Sequence, residues 1–330
     1  MLLIDATYII NGGAKILLEY LLDQINKYQI EYILLVDNRI SIKDKNLVTI
    51  SNSEIDRKYF YKKNIKTFKK IFCFANVPPP IKIQNIDVYI YFHNLLLLNS
   101  KGSSFSIKNI ILFKLKFLYI KYKNVKQYKW IVQTNYIKKE LTKHDSFKKN
   151  KIFVIPFYNL SKKVFNKSIN KDIATFAYIS SGNPHKNHLL LFKAWSQINR
   201  KYKFKLYVTI GDEYPNLLNK INDLKKNGCL IENLGNISQE YVFKLLNQVQ
   251  YIIYPSLYES FGMPLVEAAF FDCKILASDL PYVYEVVSPS IVFNPNNLES
   301  IVNAVVDKKN TKSTKLITSN KINNLINLLK

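Results

Sequence analysis

Residues 254–267 read Tyr-Pro-Ser-Leu-Tyr-Glu-Ser-Phe-Gly-Met-Pro-Leu-Val-Glu, and the reading of this stretch decides how the rest of the chain is parsed. It opens at the end of an apolar run, Tyr251 to Tyr254, whose aromatic and β-branched residues predict a strand. Pro264 suits the first position of a helix, where its missing N–H costs nothing, and Gly262 lets the backbone bend just before it. Leu265, Val266, Ala268 and Ala269 then carry a buried helix on to Phe271. Strand, tight turn and helix in that order make half of a parallel βαβ unit. The amides of Gly262 to Leu265 are expected to face out of the helix N-terminus, where the helix dipole favours an anion such as a diphosphate. Glu259 precedes the turn and Glu267 lies one turn into the helix, so two carboxylates flank the anion site and can accept hydrogen bonds from ligand hydroxyls. Taken alone, Glu259 could instead complement the dipole and Glu267 could face solvent.

Outward from this stretch the same alternation repeats. In the second half the expected strands are Ala174 to Ile179, Lys205 to Ile210, Leu230 to Leu234, Tyr251 to Tyr254 and Lys274 to Ala277. Between and after them come helices Asn187 to Ile198, Asn216 to Asn227, Gln239 to Gln248, Pro264 to Phe271 and Leu298 to Val306. In the first half the expected strands are Leu2 to Ala6, Tyr32 to Val36, Ile71 to Ala75, Val88 to Phe92, Trp130 to Gln133 and Ile152 to Pro156. Lys15 to Tyr28 and Asn135 to Thr142 are helices, the latter with Thr134 as N-cap. The polar, lysine-rich stretch 161–171 is the expected linker between a domain at 1–160 and a domain at 172–330. A chain of 330 residues suits two such domains. The fold class is therefore α/β, with two doubly wound sheets facing across a cleft and ligands expected beyond the carboxyl ends of the strands.

Three further segments fall at such ends. Ser180 to His188, Ser-Ser-Gly-Asn-Pro-His-Lys-Asn-His, places Lys186 where it would meet a bound anion. Asn11-Gly12-Gly13-Ala14 follows the first strand and opens the first helix; it is not a G-x-G-x-x-G dinucleotide fingerprint, and no acidic residue stands where that fingerprint needs one, which counts against a dehydrogenase. His93 ends the strand Val88 to Phe92 and is either a site residue or a satisfied structural one. His185 and His188 lack a third ligand nearby, so no metal site is read here.

The string Glu259-Ser-Phe-Gly-Met-Pro-Leu-Val-Glu267 resembles the signature of glycosyltransferase family 4, in which two glutamates eight positions apart enclose a Gly-aliphatic-Pro turn. The resemblance covers the second half well and the first half loosely. It implies the two-domain GT-B fold, a nucleotide-diphosphate sugar as co-substrate, and retention of the anomeric configuration without metal or other cofactor. It also implies that Glu267 holds the donor ribose, that Glu259 lies at the transferred sugar, and that the turn Phe261-Gly262-Met263-Pro264-Leu265 faces sugar and phosphate. Lys186 matches the family's basic residue for the leaving diphosphate, Gly12 and Gly13 its loop near the donor phosphates, and His93 a histidine near the sugar. The departing phosphate oxygen is thought to assist deprotonation of the acceptor hydroxyl, so no separate base is needed. One departure stands out: the arginine usual before that lysine is replaced by Ser180, Ser181 and Asn183. The Pro-His-Lys-Asn-His string is similar to members that assemble polysaccharides, which implies a lipid-linked saccharide acceptor in O-antigen, capsule or lipopolysaccharide synthesis. A soluble or protein acceptor is the alternative.

The net charge of +24 invites an anionic partner, although lysine, asparagine and isoleucine abound throughout, as drift in an AT-rich genome would produce. Charge dispersed in this way, without a nucleic-acid-binding module, argues against nucleic acid. Lys108 to Lys129 interleaves lysines with bulky apolar residues and reads either as a basic amphipathic helix on an anionic bilayer or as a core helix with snorkelling lysines. No run is long and apolar enough to span a membrane and Asp5 interrupts the first apolar run, so the expected location is the cytoplasm, peripheral at the inner face of the membrane. Cys73, Cys229 and Cys273 have no metal-ligand spacing and read as core thiols in a reducing compartment.

Overall fold

Apolar runs bounded by turn residues form two sheets of parallel strands in the computed structural model, which describes residues 1–10, 12–98, 105–160, 170–307 and 312–330. The first sheet holds β1 (Leu2–Asp5), β2 (Tyr32–Asp37), β3 (Leu47–Ile50), β4 (Lys70–Cys73), β5 (Asp87–Phe92), β6 (Lys129–Val132) and β7 (Lys151–Val154). Their order is β3-β2-β1-β4-β5-β6-β7, with every neighbouring pair parallel. Helices α1 (Gly12–Lys27), α2 (Glu54–Asn64), α3 (Ile107–Lys123) and α4 (Asn135–Thr142) belong with it. All four residues of β1 are buried, as expected of a central parallel strand covered on both faces. Thr134 caps α4 as its sequence predicts, its hydroxyl accepting from the Ile137 amide at 3.2 Å.

The second sheet repeats this topology with β8 (Asp172–Tyr178), β9 (Lys205–Val208), β10 (Ile231–Asn233), β11 (Val249–Tyr254), β12 (Lys274–Ser278) and β14 (Ile291–Phe293), in the order β10-β9-β8-β11-β12-β14. Its helices are α5 (His188–Ile198), α6 (Pro215–Lys226), α7 (Gln239–Gln248), α8 (Met263–Phe270), α9 (Pro281–Tyr284) and α10 (Leu298–Val306). The short strands β13 (Val287–Ser288) and β15 (Lys315–Leu316) pair antiparallel beside it. In each sheet the strand order reverses once, at β1/β4 and at β8/β11. Such a reversal, beyond the carboxyl ends of the strands, is where doubly wound proteins hold ligands.

The described residues within Met1–Ser100, Ile107–Asn159 and Ser319–Lys330 make one compact unit, and those within Lys101–Ser106 and Leu160–Thr318 the other. The division 1–160/172–330 is thereby corrected at its far end. A helix absent from the sequence reading, α11 (Ile322–Leu329), places Ile322, Leu325, Ile326 and Leu329 in the core of the first unit with Leu18, Leu21, Leu22 and Ile25 of α1. The Lys321 amide donates to Pro156 O at 2.8 Å and Asn320 Nδ2 to Tyr158 O at 2.7 Å, tying the segment down. Of the expected linker, 161–169 lies outside the described residues. Lys171 is no linker residue: its ammonium donates to Leu246 O at 2.7 Å and Phe271 O at 2.6 Å, anchoring β8 to the ends of α7 and α8.

Among the described residues four strands and two further helices also escape the sequence reading; β13 and β15 have two residues each and α9 only four. β3 is a four-residue edge strand with half-exposed positions, and β14 has only three residues, so neither shows a clear apolar run. The lysine-rich α2 is started by Ser53, whose hydroxyl accepts from the Ile55 amide at 3.1 Å. All three cysteines are free and buried.

Candidate functional site

The loops after β8 and β11 meet at the reversal point of the second sheet. The Leu257 amide donates to His185 O at 2.8 Å, and Asn187, in a left-handed conformation at φ +62°, donates through Nδ2 to Pro255 O at 3.3 Å and to Pro295 O at 2.7 Å. Tyr178, the last residue of β8, gives its hydroxyl to Lys186 O at 2.8 Å and lies 2.8 Å from Ser256 Oγ. Tyr282 donates to Ser256 O at 2.7 Å. A tyrosine-lined framework therefore fixes both loops.

On this framework Lys186 Nζ stands 2.6 Å from Glu259 Oε1, with side chains only 15% and 11% exposed. Tyr254 donates to the same oxygen at 2.8 Å. Burial alone would raise the Glu259 carboxyl, but the Lys186 charge and hydrogen bond outweigh it and hold the group below the ordinary carboxylate range. Glu259 is thus an ionised acceptor rather than an acid. An ammonium has three donors, so one bond to Glu259 leaves Lys186 able to turn further N–H groups toward an anion.

Gly262 adopts φ +86°, a conformation that the turn demands and that a side chain would strain. Pro264 follows inside the first turn of α8, and no side chain caps the helix. Phe261, Gly262 and Leu265 are buried, while Met263 and Pro264 are partly exposed. The turn differs from expectation at one atom, because the Leu265 amide donates to Gly262 O at 2.9 Å and is engaged within the helix. Glu267 is buried inside α8 rather than solvated, and it accepts from Gln239 Nε2 at 3.3 Å at the start of α7. Burial without a cation lifts its carboxyl to about 7.

The imidazoles of His185 and His188 are pushed down to about 4 and about 3, by burial first and then by the Lys186 charge, so both are neutral near pH 7. Among the described residues, no group of three His, Cys, Asp or Glu is placed to hold a metal ion. Where the family arginine is missing, the chain satisfies itself locally: the Ser180 amide donates to Thr209 Oγ1 at 2.9 Å, and Asn183 Nδ2 donates to Ser181 Oγ at 2.9 Å. An open pocket of about 360 Å³ lies beside this loop, lined by Gly182, Asn183, His188, Glu213, Tyr214 and Asn216. Tyr178, Tyr254, Ser256, Tyr282 and Gln239 were not anticipated as site residues. Only their positions at strand ends and helix starts could have pointed to them.

In the first unit the reversal point carries a different cluster. Arg57 meets Asp5 at 2.8 Å with both side chains 1% exposed, and Tyr61 donates to the same carboxylate at 2.6 Å. Burial opposes the Arg57 charge, and Asp5 outweighs it, keeping the guanidinium charged. Tyr8 takes φ +81°, unusual for a bulky residue; it is held by Asp37 Oδ2 on its amide at 3.0 Å and by its hydroxyl on Glu54 at 2.9 Å. Gly12 and Gly13 begin α1, Gly12 at φ +67°, while Asn11 lies outside the described residues. His93 follows β5 directly, its amide donating to Asn76 Oδ1 at 2.7 Å and its ring lying 5.0 Å from that of Tyr91. Burial pushes its imidazole down to about 4.

The family match falls on the second unit. Residues 161–318 match the family described as Glycosyl transferases group 1. The chain is 26% identical over 199 residues to the O-antigen chain mannosyltransferase RfbU of Salmonella typhimurium, a stretch covering 58% of this chain and 54% of that protein. It is also 26% identical over 119 residues to glycosyltransferase 335 of Sulfolobus islandicus rod-shaped virus 1, covering 34% of this chain and 32% of that protein. The matched stretches thus span between about a third and about half of these relatives. Among solved structures, Anabaena Alr3699/HepE in complex with UDP and glucose superposes with a TM-score of 0.66 at 13% identity, covering 92% of this chain and 88% of that one, a likeness of fold. The chain has the two-sheet GT-B fold, and its residues 161–318 match the glycosyl transferases group 1 family.

Proposed function

We propose that this protein is a retaining glycosyltransferase that moves a hexosyl group from a nucleotide-diphosphate donor to a saccharide acceptor. The observation that carries this reading is the buried Lys186–Glu259 pair beside the uncapped N-terminus of α8. A cation and a helix terminus together favour the charge that grows on a departing diphosphate, and they are fixed in place before the reaction begins. The acceptor oxygen bonds to the anomeric carbon as the carbon–phosphate-oxygen bond breaks, on the same face of the sugar. The acceptor proton passes to the departing phosphate oxygen. Glu259, held ionised, accepts hydrogen bonds from sugar hydroxyls, and Glu267 accepts from the donor ribose. By the family resemblance we assign Phe261, Gly262, Met263, Pro264 and Leu265 to the donor as well. In the first unit the same resemblance assigns Gly12 and Gly13 to the donor phosphates and His93 to the transferred sugar.

The acceptor we propose is a lipid-linked saccharide of surface polysaccharide synthesis, used at the inner face of the membrane, where nucleotide sugars are made. The similarity to an O-antigen chain mannosyltransferase supports it. Thermal unfolding measured against a panel of nucleotide-diphosphate sugars in excess chelator tests the whole reading, since a ligand of the native state raises its stability. One donor class should raise the melting temperature, and Glu267→Ala should lose most of that rise. No stabilisation by any nucleotide sugar, or stabilisation only when manganese or magnesium is restored, would overturn it.

A further inference from the structure

The helix α3 carries two apolar faces. Phe117 and Ile120 are buried against the first unit. Ile107, Ile111, Leu115, Leu118 and Tyr122, spaced by four, four, three and four positions, fall together on another face and are 78%, 51%, 58%, 56% and 81% exposed. Five large apolar side chains in one stripe go well beyond the scattered exposed residues normal on a soluble surface. Lysines border the stripe, Lys108 along one side and Lys114 and Lys121 along the other, with the Lys121 ammonium 6.0 Å from the Phe117 ring so that its stem lies along the helix. The surface continues onto α2. Tyr119 of α3 donates to Glu54 at the start of α2, where Ile55 and Tyr59 are exposed alongside Lys58 and Lys62.

We propose that α3 and the start of α2 form a docking surface for an anionic lipid bilayer, with the stripe entering the headgroup boundary and the lysines meeting lipid phosphates. Charge decides the occupant. A second copy of the chain seated on this stripe would oppose lysine with lysine in a protein of net charge +24, whereas an anionic bilayer satisfies both the apolar stripe and its rim. The helix lies on the surface rather than across it, for no helix among the described residues is long and apolar enough to cross a membrane. This surface does not depend on the transfer reaction, and its test needs no donor or acceptor.

The test is co-sedimentation of the full chain with vesicles of equal phosphatidylglycerol and phosphatidylcholine, and with phosphatidylcholine alone, across a salt series. Wild type should bind the anionic vesicles at low salt, release them as salt rises, and ignore the neutral ones. Each lysine at an anionic surface is worth about fivefold, so Lys108→Gln, Lys114→Gln and Lys121→Gln together should weaken binding about a hundredfold. Leu115→Ser with Leu118→Ser should weaken it at least about tenfold. The control removes the same charge elsewhere, with Lys220→Gln, Lys225→Gln and Lys226→Gln on α6, and should change binding less than about threefold. All these side chains are exposed or at helix rims, and melting temperatures verify the folds. Equal loss in the control, or wild type that ignores anionic vesicles, overturns the proposal. So does sedimentation velocity showing a dimer without lipid that the Leu115/Leu118 variant dissolves.

Discussion

The carboxyl ends of β1 and β8 occupy the same place in their sheets, the strand at which the order reverses, yet they hold charge in different ways. At β1, Asp5 is consumed inside the protein, by Arg57, Tyr61 and the Thr7 amide and hydroxyl. At β8, the loop delivers Lys186 to a glutamate that stands before an uncapped helix start. The first arrangement fixes loops by pairing charges with each other. The second keeps an ion pair where a ligand's charge can join it. Topology alone therefore does not make a site, and the family match at 161–318 follows the chemistry rather than the topology.

The largest test of this contrast is Arg57→Ala. Removing one partner of a buried pair leaves Asp5 uncompensated and should destabilise the first unit by about 3–5 kcal/mol, read from the midpoint of denaturant unfolding. Lys186→Met should do the reverse of this. Its stability loss should be smaller, because Glu259 keeps Tyr254 and can take up a proton, while turnover of the preferred donor should fall about 100- to 1000-fold. If Lys186→Met unfolds the protein as badly as Arg57→Ala, or leaves turnover intact, the distinction between a structural and a functional reversal point collapses.

A smaller effect separates the two glutamates. Glu267 has a folded pKa of about 7, above its unfolded value near 4.5. Any stability that depends on its protonated form is therefore complete at low pH, declines as pH rises from about 4.5 through 7, and is absent above that. Glu267→Gln should be worth up to about 3 kcal/mol of added stability at pH 8 and close to nothing at pH 4, while weakening donor binding. Glu259 is held below the usual range, so its contribution has the opposite sign: it is present near neutrality and lost in acid. Paired denaturation curves of wild type and Glu267→Gln at pH 4 and pH 8 measure the Glu267 effect. Parallel pH profiles for wild type and Glu267→Gln would show that Glu267 is not buried as an acid.

The same contrast explains what was legible in the sequence. The second site is written in two short strings, Ser180 to His188 and Tyr254 to Glu267, because a loop and a helix start are local objects whose residue types are dictated by a turn, a cap and a dipole. The cluster at β1 was invisible because Arg57 reaches Asp5 across 52 positions and Tyr119 reaches Glu54 across 65. No periodicity encodes such pairs. The strands were legible because buried parallel strands are continuous apolar runs, and β3 and β14, short and mostly not buried, carry little of that signal. The stripe on α3 appeared in the sequence only as an ambiguity, since a helix with apolar residues on two faces gives a weak moment. The fold resolves which face is covered.

The smallest expected effect bears on the glycines of the two loops. Gly262→Ala must strain a backbone at φ +86° and bring a methyl group to 3.1 Å from Leu265 Cδ1, at a cost of about 1–2 kcal/mol whether or not a ligand binds. Gly13 has neither constraint. Its φ is not positive and an added Cβ would meet nothing within 4 Å, so an alanine in this first turn of α1 should leave stability unchanged or raise it by up to about 1 kcal/mol. The fold itself gives no reason for glycine at this position, which makes Gly13→Ala a clean probe of a ligand. If a donor phosphate approaches this backbone, the methyl group should weaken donor affinity while the unfolding midpoint stays level or rises. Unchanged affinity would remove Gly13 from the donor-binding set and leave Gly12 and His93 as the first unit's share of the donor assignment.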